Sequence, residues 1–531
     1  MSEQNKQVKS FMYGTIILLV ANALVKLIGA IFKIPLTYIL GEEGMGYFST
    51  SYQMYTWMFI VATAGLPVAI SKMVSEASAR GNEAEARQIF KISMRLLLVI
   101  GSAGFALLYF GADFFADKLL KNSGAAQGIR AIAPAMLFVS AMSAYRGYFQ
   151  GHQNMLPTAL SEVGEALGKL FVGFGLAYIL SSKGMEIASS GAVFGVSSGA
   201  AFGFVILWFV GRRQRKALPT HSSAKTSQSN TEILKKLIKI AIPITIGASV
   251  FSLTSLIDMA MIMRRLQSGG YLEAEANKLW GSYSGFAFPL FNLPPTLINA
   301  ITVSIVPAIA AAFSQKDYAL CSHTTEKSLK ITVLFALPCS VGMSMLSYPI
   351  LNLVYGNTNA TQSLEILSLA IVFVSLVLVT NAILQATGNV MVPVKNMIIG
   401  GVLKIIINYF LVAHPAINIK GAPIGTMACY IVILFLNLYD MKKRIKVSFS
   451  LSELVIKPVT ATAAMAASLS VTTPIFKDFG RLLPCLAPIA VGVLVYFFVL
   501  ILIKGINEDD LALLPKAEAI TRICKKLKIV R

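Results

Sequence analysis

The chain has 531 residues, of which 56% are hydrophobic and 13% charged, a balance that excludes an ordinary soluble domain. A formal net charge of +21 raises nucleic acid as a partner, but the basic residues are dealt out loop by loop rather than gathered on one stretch, which excludes it. Apolar runs of roughly 20 residues recur along the chain, enough for a helix to cross a hydrocarbon core of about 30 Å, and no alternating strand segments occur, so the fold class is all-α integral membrane.

The first apolar run, 11–40, is too long for a signal-peptide core and lacks a small-residue cleavage site, so it is a retained span. We place about 14 transmembrane helices, near 12–40, 49–71, 89–111, 129–149, 158–181, 187–211, 236–263, 282–313, 328–353, 364–386, 391–413, 420–441, 454–473 and 484–504. Connections carrying Arg80 and Arg87, then Arg212, Arg213, Arg215 and Lys216, then Lys316 and Lys327, then Lys442, Lys443, Arg444 and Lys446 alternate with connections poorer in basic residues. The positive-inside rule makes the first set cytoplasmic and, with an even number of crossings, both termini cytoplasmic. The basic stretch that turns into HSSAKTSQSN reads as a linker. The expected organisation is an N-terminal lobe over 1–211, a linker over 212–235, a C-terminal lobe over 236–445, and two further spans with a basic tail over 446–531.

Charged residues inside spans are costly and call for a partner, a cavity or a function. Lys26 sits mid-way along span 1 and Lys33 seven residues on, close to two turns, so both face one way. Span 5 carries Glu162, Glu165 and Lys169, and span 11 carries Lys404. The plain reading pairs Glu165 with Lys169, four apart, and lets Lys33 snorkel to an interface; Lys26 and Lys404 have no acidic residue within a turn. Span 7 holds Asp258 and, seven residues later, Arg265. In span 8 the run PLFNLPP, 289–295, removes helix hydrogen bonds, and Asn292 and Asn299 there either line a cavity or bond a neighbouring helix.

A weak internal repeat is present. Arg146 and Asn381, Gln150 and Gln385, Asn154 and Asn389, and Lys169 and Lys404 are all 235 apart, whereas Pro67 and Pro307 are 240 apart. Six spans separate the copies, which implies parallel repeats of the kind that rock about a central site. The five cysteines are scattered and read as free thiols, the four histidines form no constellation, and no phosphate-binding loop of the GxxxxGK[ST] type is present. An enzyme is therefore not expected, nor a metal site.

Four stretches carry a family resemblance: GxIFKIPLTYILGEEGMGYF in span 1, AGLPVAISKMVSEASARGN after span 2, RGYFQGxQNMLPTA, and PLFNLPPTLINAITVSIVPAIAAA in span 8. They resemble the polysaccharide-biosynthesis transporters of the MOP (MATE-like) superfamily, and more narrowly the stage V sporulation protein B group related to MurJ-type lipid II flippases. The resemblance implies two pseudo-symmetric six-helix lobes in a V-shape plus two C-terminal helices, in the plasma membrane of a bacterium. It implies alternating-access export of a polyprenyl-diphosphate-linked glycan, lipid II foremost, and Lys26 and Lys33 match the basic residues that engage the pyrophosphate. Where that group has arginines on helices 2 and 8, this chain has Phe59-Ile60 and Asn292.

The expected function is thus a flippase, with central-cavity candidates Lys26, Lys33, Arg146, Glu165, Lys169, Asn292, Asn299 and Lys404, and Asp258 as the candidate for ion coupling. No cofactor is expected; an Na⁺ or H⁺ gradient or the membrane potential supplies the energy. Membrane lipids are expected partners, and the chain is expected to be a monomer. The alternatives are a cation-coupled multidrug exporter on the same fold, a flippase for another surface polysaccharide precursor, and a non-transporting scaffold.

Overall fold

The computed structural model describes residues 3–217, 229–445, 450 and 452–505. Much of the expected linker and the basic tail, with Cys524, lie outside them. All regular elements among the described residues are helices. Ten of these are long and apolar enough to cross a membrane, or up to eleven if Thr361–Leu369 and Ile371–Ala386, bent by 41°, form one span. The number falls short of the 14 expected partly because the first two spans are counted in one stretch, Val20–Ala79. The helix Glu3–Thr63 is two helices meeting at Gly41, whose φ of 56° is in the left-handed region that glycine tolerates. Without that break its 61 residues would reach about 90 Å, three times the hydrocarbon thickness. The helices where spans 7 and 8 are expected, Asn230–Ser268 and Leu293–Ser314, are not among the ten.

The chain divides into two compact units, Met1–Arg264 with Leu272–Gly281, and Arg265–Tyr271 with Ser282–Arg531. In the first, glycines let backbones touch. A Cβ at Gly195 would strike Gly173 Cα, and one at Gly199 would strike the Glu165 carbonyl oxygen, so Met185–Ala217 lies flush on Leu156–Gly168 and the turn after it. Most of Asn230–Ser268 belongs to this unit. Lys236 Nζ meets Glu76 Oε2 at 2.9 Å, and Gly65 lies so close to Ala241 that a Cβ would strike its carbonyl oxygen. The helix Glu273–Gly281 also docks here: Asn277 Nδ2 donates to the Glu43 carbonyl at 2.9 Å, and a Cβ at Gly281 would collide with the Glu42 carbonyl oxygen.

In the second unit one apolar core gathers Ile298, Ile305, Leu329, Val379 and Ile383. Another, with Leu346, Met465, Leu469 and Tyr496, fastens the last two helices, Lys457–Phe476 and Leu483–Leu502, to the rest. Tyr496 Oη donates to the Leu334 carbonyl at 2.7 Å. Lys330, only 3% exposed, meets Glu453 Oε2 at 2.8 Å, and Lys457 pairs with the same carboxylate. The break expected at 289–295 is present: Phe288–Phe291 ends and Leu293–Ser314 begins at Asn292.

The repeat is visible as geometry. The N–H of Asn154 donates to the Phe149 carbonyl at 2.9 Å, and that of Asn389 to Leu384 at 3.0 Å. Likewise Asn82 donates to Ala77 and Asp317 to Ala312, both at 3.0 Å. Asn82 and Asp317 then cap the following helices by accepting the N–H of Glu85 and of Leu320. Each of these pairs is separated by 235 residues. The match of Pro67 with Pro307 at 240 is corrected: Pro67 stands in the first turn of Leu66–Ala79, whereas Pro307 lies inside Leu293–Ser314.

Candidate substrate cavity

Glu162, Glu165 and Lys169 recur at helical spacing on one face of Leu156–Gly168 and its continuation. At Lys169 the helix widens into a π-turn, Lys169–Gly173, a local change of pitch frequent at functional sites. The glycine-lined packing of Met185–Ala217 behind it leaves the polar face to meet Glu3–Thr63. Between them is a cavity of about 200 Å³, lined among others by Gly29, Phe32, Tyr52, Glu162, Glu165 and Lys169.

Arg146, on Ala135–Gly151, donates through Nη2 to Glu165 Oε2 at 3.0 Å and through Nε to Ser161 Oγ at 3.2 Å. This corrects the plain reading of the sequence. Glu165 pairs not with Lys169, four residues on, but with the arginine of the preceding helix, because the fork of a guanidinium reaches both acceptors at once. Lys169 has no carboxylate within ion-pair distance among the described residues. Its ammonium stands 5.1 Å from the ring centres of both Phe32 and Tyr52, a cation–π arrangement. Lys33 is half-buried and close enough to Lys169 for the two charges to repel. Glu162 Oε2 is shut off from solvent and accepts no hydrogen bond among the described residues.

The remaining candidates stand elsewhere. Lys26 is exposed, one helical turn before the lining residue Gly29. Asp258 is buried in the first unit at 6% exposure and has a partner. Asn292, Asn299 and Lys404 belong to the second unit. The Asn292 amide donates to the Phe288 carbonyl of its own helix at 3.0 Å, Asn299 is exposed, and Lys404 is half-buried and engaged. Where the first unit has Arg146 the second has Asn381, whose oxygen accepts from Asn437 Nδ2 at 2.8 Å. Sequence reasoning missed Phe32 and Tyr52 as site residues. For Tyr52 the signal was spacing: Phe48, Tyr52, Tyr55 and Phe59 repeat at intervals that put aromatic rings on one helix face.

Apolar helices of spanning length, with titratable side chains held between them, define a multi-pass membrane protein. The chain belongs to the family described as polysaccharide biosynthesis protein, which it matches over residues 11–313, and residues 282–410 match the family described as MatE. It is 25% identical to stage V sporulation protein B of Bacillus subtilis (strain 168) over 514 residues, 96% of this chain and 98% of that one. It is 27% identical to the lipid II flippase MurJ of the same organism over 458 residues, 82% of this chain and 84% of the relative. A solved structure of lipid II flippase MurJ in an inward closed conformation superposes with a TM-score of 0.68 at 16% identity, covering 91% of this chain and 98% of that one. A multidrug resistance MATE family transporter of the MOP superfamily, solved in an inward-facing conformation, superposes with a TM-score of 0.66 at 16% identity, covering 80% of this chain and 94% of that one, so the fold is the one these two structures share.

Proposed function

We propose that the protein is a flippase that exports a polyprenyl-diphosphate-linked saccharide, lipid II foremost, by alternating access. The observation that carries the reading is the cationic group in the first unit: Lys33 and Lys169 lie within spans and neither has a carboxylate partner among the described residues. Unpaired ammonium groups in low dielectric favour an arriving anion, and a relative named as a lipid II flippase supports the same chemistry. Fourteen crossings, cytoplasmic termini and lobes over 1–211 and 236–445 belong to this proposal. No bond is made or broken, so no catalytic group is assigned. Export of an anion is favoured by an inside-negative potential at about 2.3 kcal/mol per charge per 100 mV, and buried Asp258 is the site for an Na⁺ or H⁺ contribution.

The test is rescue of cells depleted of their lipid II flippase by the intact chain and by Lys33→Ala and Lys169→Ala variants, with membrane insertion verified. Rescue by the intact chain and failure of both variants is expected. An inserted intact chain that fails to rescue removes lipid II as the substrate. The match of residues 282–410 to the MatE family favours a second reading, a cation-coupled exporter of drugs, in which case the lysine variants keep their activity and export follows an ion gradient.

A further inference from the structure

The helices Glu83–Phe110 and Tyr318–Met345 are one element in the two copies of the repeat. Each has 28 residues, and each is capped by the residue before it, Asn82 or Asp317. Each also carries a last cation ahead of an uncharged apolar run, Arg95 before 96–110 and Lys330 before 331–345. Arg95 and Lys330 are 235 apart. Both copies therefore set a cation at the same depth in a span, about 18 Å along the helix at 1.5 Å per residue, where a charge calls for an anion.

The second unit supplies that anion from its own chain. Lys330 is 3% exposed and meets Glu453 Oε2 at 2.8 Å, a carboxylate of the turn Ser452–Ile456 that leads into the last two helices. One turn further on, Leu334 packs on the core around Met465 and Tyr496, so those helices cover this face. In the first unit the equivalent face is bare. Arg95 is exposed and has no carboxylate within ion-pair distance among the described residues, and the same is true of Lys91, one turn earlier. Val99, the twin of Leu334, is 67% exposed.

Between this face and the start of Asn230–Ser268 lies a groove of about 320 Å³. Arg95, Asn230 and Thr231 are among its polar lining residues, and Leu96, Val99 and Leu234 among its apolar ones. Gln88 Nε2 holds the two helices together by donating to Asn230 Oδ1 at 2.7 Å. A guanidinium and a hydroxyl beside aliphatic side chains suit a molecule with a phosphate ester at one end and methylene chains at the other. Lys91 repels a cationic headgroup, which favours a lipid of net negative charge.

We propose that an anionic phospholipid occupies this groove, with its phosphate on Arg95 and an acyl chain along Leu96, Val99 and Leu234, and that it supplies the charge that Glu453 supplies in the twin. The inference goes beyond the flippase reading and does not depend on the substrate carried.

The experiment titrates the purified full-length chain in detergent with three probes and counts bound molecules by native mass spectrometry. The probes are phosphatidylglycerol, phosphatidylcholine with the same acyl chains, and glycerol 1-phosphate, which has the anionic headgroup without the chains. The first phosphatidylglycerol is expected to bind more tightly than phosphatidylcholine by roughly tenfold or more, the scale of one hydrogen bond to a charged group, and glycerol 1-phosphate is expected not to displace it. Arg95→Gln loses the preference. Thr231→Glu loses it too, because a carboxylate then stands in the groove as Glu453 stands beside Lys330, whereas Thr231→Gln, of the same bulk without the charge, keeps it. Lys443→Gln removes an exposed cation of the second unit and also keeps it. Equal binding of the two lipids, or a preference that survives in Arg95→Gln, overturns the site. An equal loss in Lys443→Gln overturns it as well, since net charge alone then draws the lipid. Displacement by glycerol 1-phosphate makes the groove a site for free phosphate esters and overturns the lipid as occupant. Should Arg95→Gln fail to fold, the two Thr231 variants decide: identical behaviour of the pair overturns the charge pairing.

Discussion

Arg146 reaches Glu165 at 3.0 Å with both side chains largely withdrawn from solvent, 18% and 28% exposed. The pair ties Ala135–Gly151 to Leu156–Gly168, and the same guanidinium also holds Ser161. A double-mutant cycle with Arg146→Ala and Glu165→Ala, read by thermal unfolding in detergent, should give a coupling of about 1–2 kcal/mol, above the usual surface pair. Arg146→Lys should recover only part of it, because an ammonium cannot bond both partners in the same plane. A coupling near zero would mean that the pair is incidental.

Lys169 behaves oppositely. It neutralises no carboxylate, so Lys169→Met leaves no orphaned charge and forfeits only contacts with Phe32 and Tyr52. The expected loss of stability is below about 1 kcal/mol, while transport in the rescue assay is lost. Equal damage to unfolding midpoint and to transport would make Lys169 a structural residue.

Gly281 allows no side chain. Its Cβ position is occupied by the Glu42 carbonyl oxygen, whereas Gly175 faces open space. Gly281→Ala should destabilise by about 1–3 kcal/mol and expose the adjoining segment to protease. Gly175→Ala, on the helix Phe174–Leu180, should be neutral or stabilising by about 0.5–1 kcal/mol. Similar unfolding midpoints for the two variants would contradict the close approach.

Glu453 accepts from buried Lys330 and from Lys457. Replacing it by Gln leaves two cations facing an amide, one of them at 3% exposure, with a cost of about 2–4 kcal/mol. Hydrogen exchange should rise first along Lys457–Phe476, which the carboxylate helps to fasten. Unchanged exchange there would show that the apolar contacts around Met465 and Leu469 suffice.

The sequence made the helices legible because spanning a membrane demands long apolar runs, and the break at Asn292 legible because prolines cannot donate. It made the repeat legible at Asn154 and Asn389, where both copies close the same turn. It did not show the partner of Glu165. Spacing along one helix favours Lys169, but the choice depends on where Ala135–Gly151 is held, and that helix is seated on Leu66–Ala79 through Gly147 and Gly151, small residues that carry no charge signal. Nor did it show that Lys26 and Lys33, two turns apart, have different surroundings, since the helix face is shared and the neighbouring wall is not.

The shared spacing of 235 residues has a consequence for ancestry. A duplicated module retains its corners, the turns at Asn82 and Asp317 and at Asn154 and Asn389, because an altered corner misdirects every helix after it. The positions between corners are free to diverge. One copy has taken an arginine at 146 and set it against a glutamate; its twin has taken an asparagine at 381 and joined a chain of amides through Asn437 and Asn396. The two descendants of one ancestral bundle keep their corners and differ in the polar contacts made between them, a guanidinium set against a carboxylate in one and a chain of amides that ends on the Asp440 carboxylate in the other.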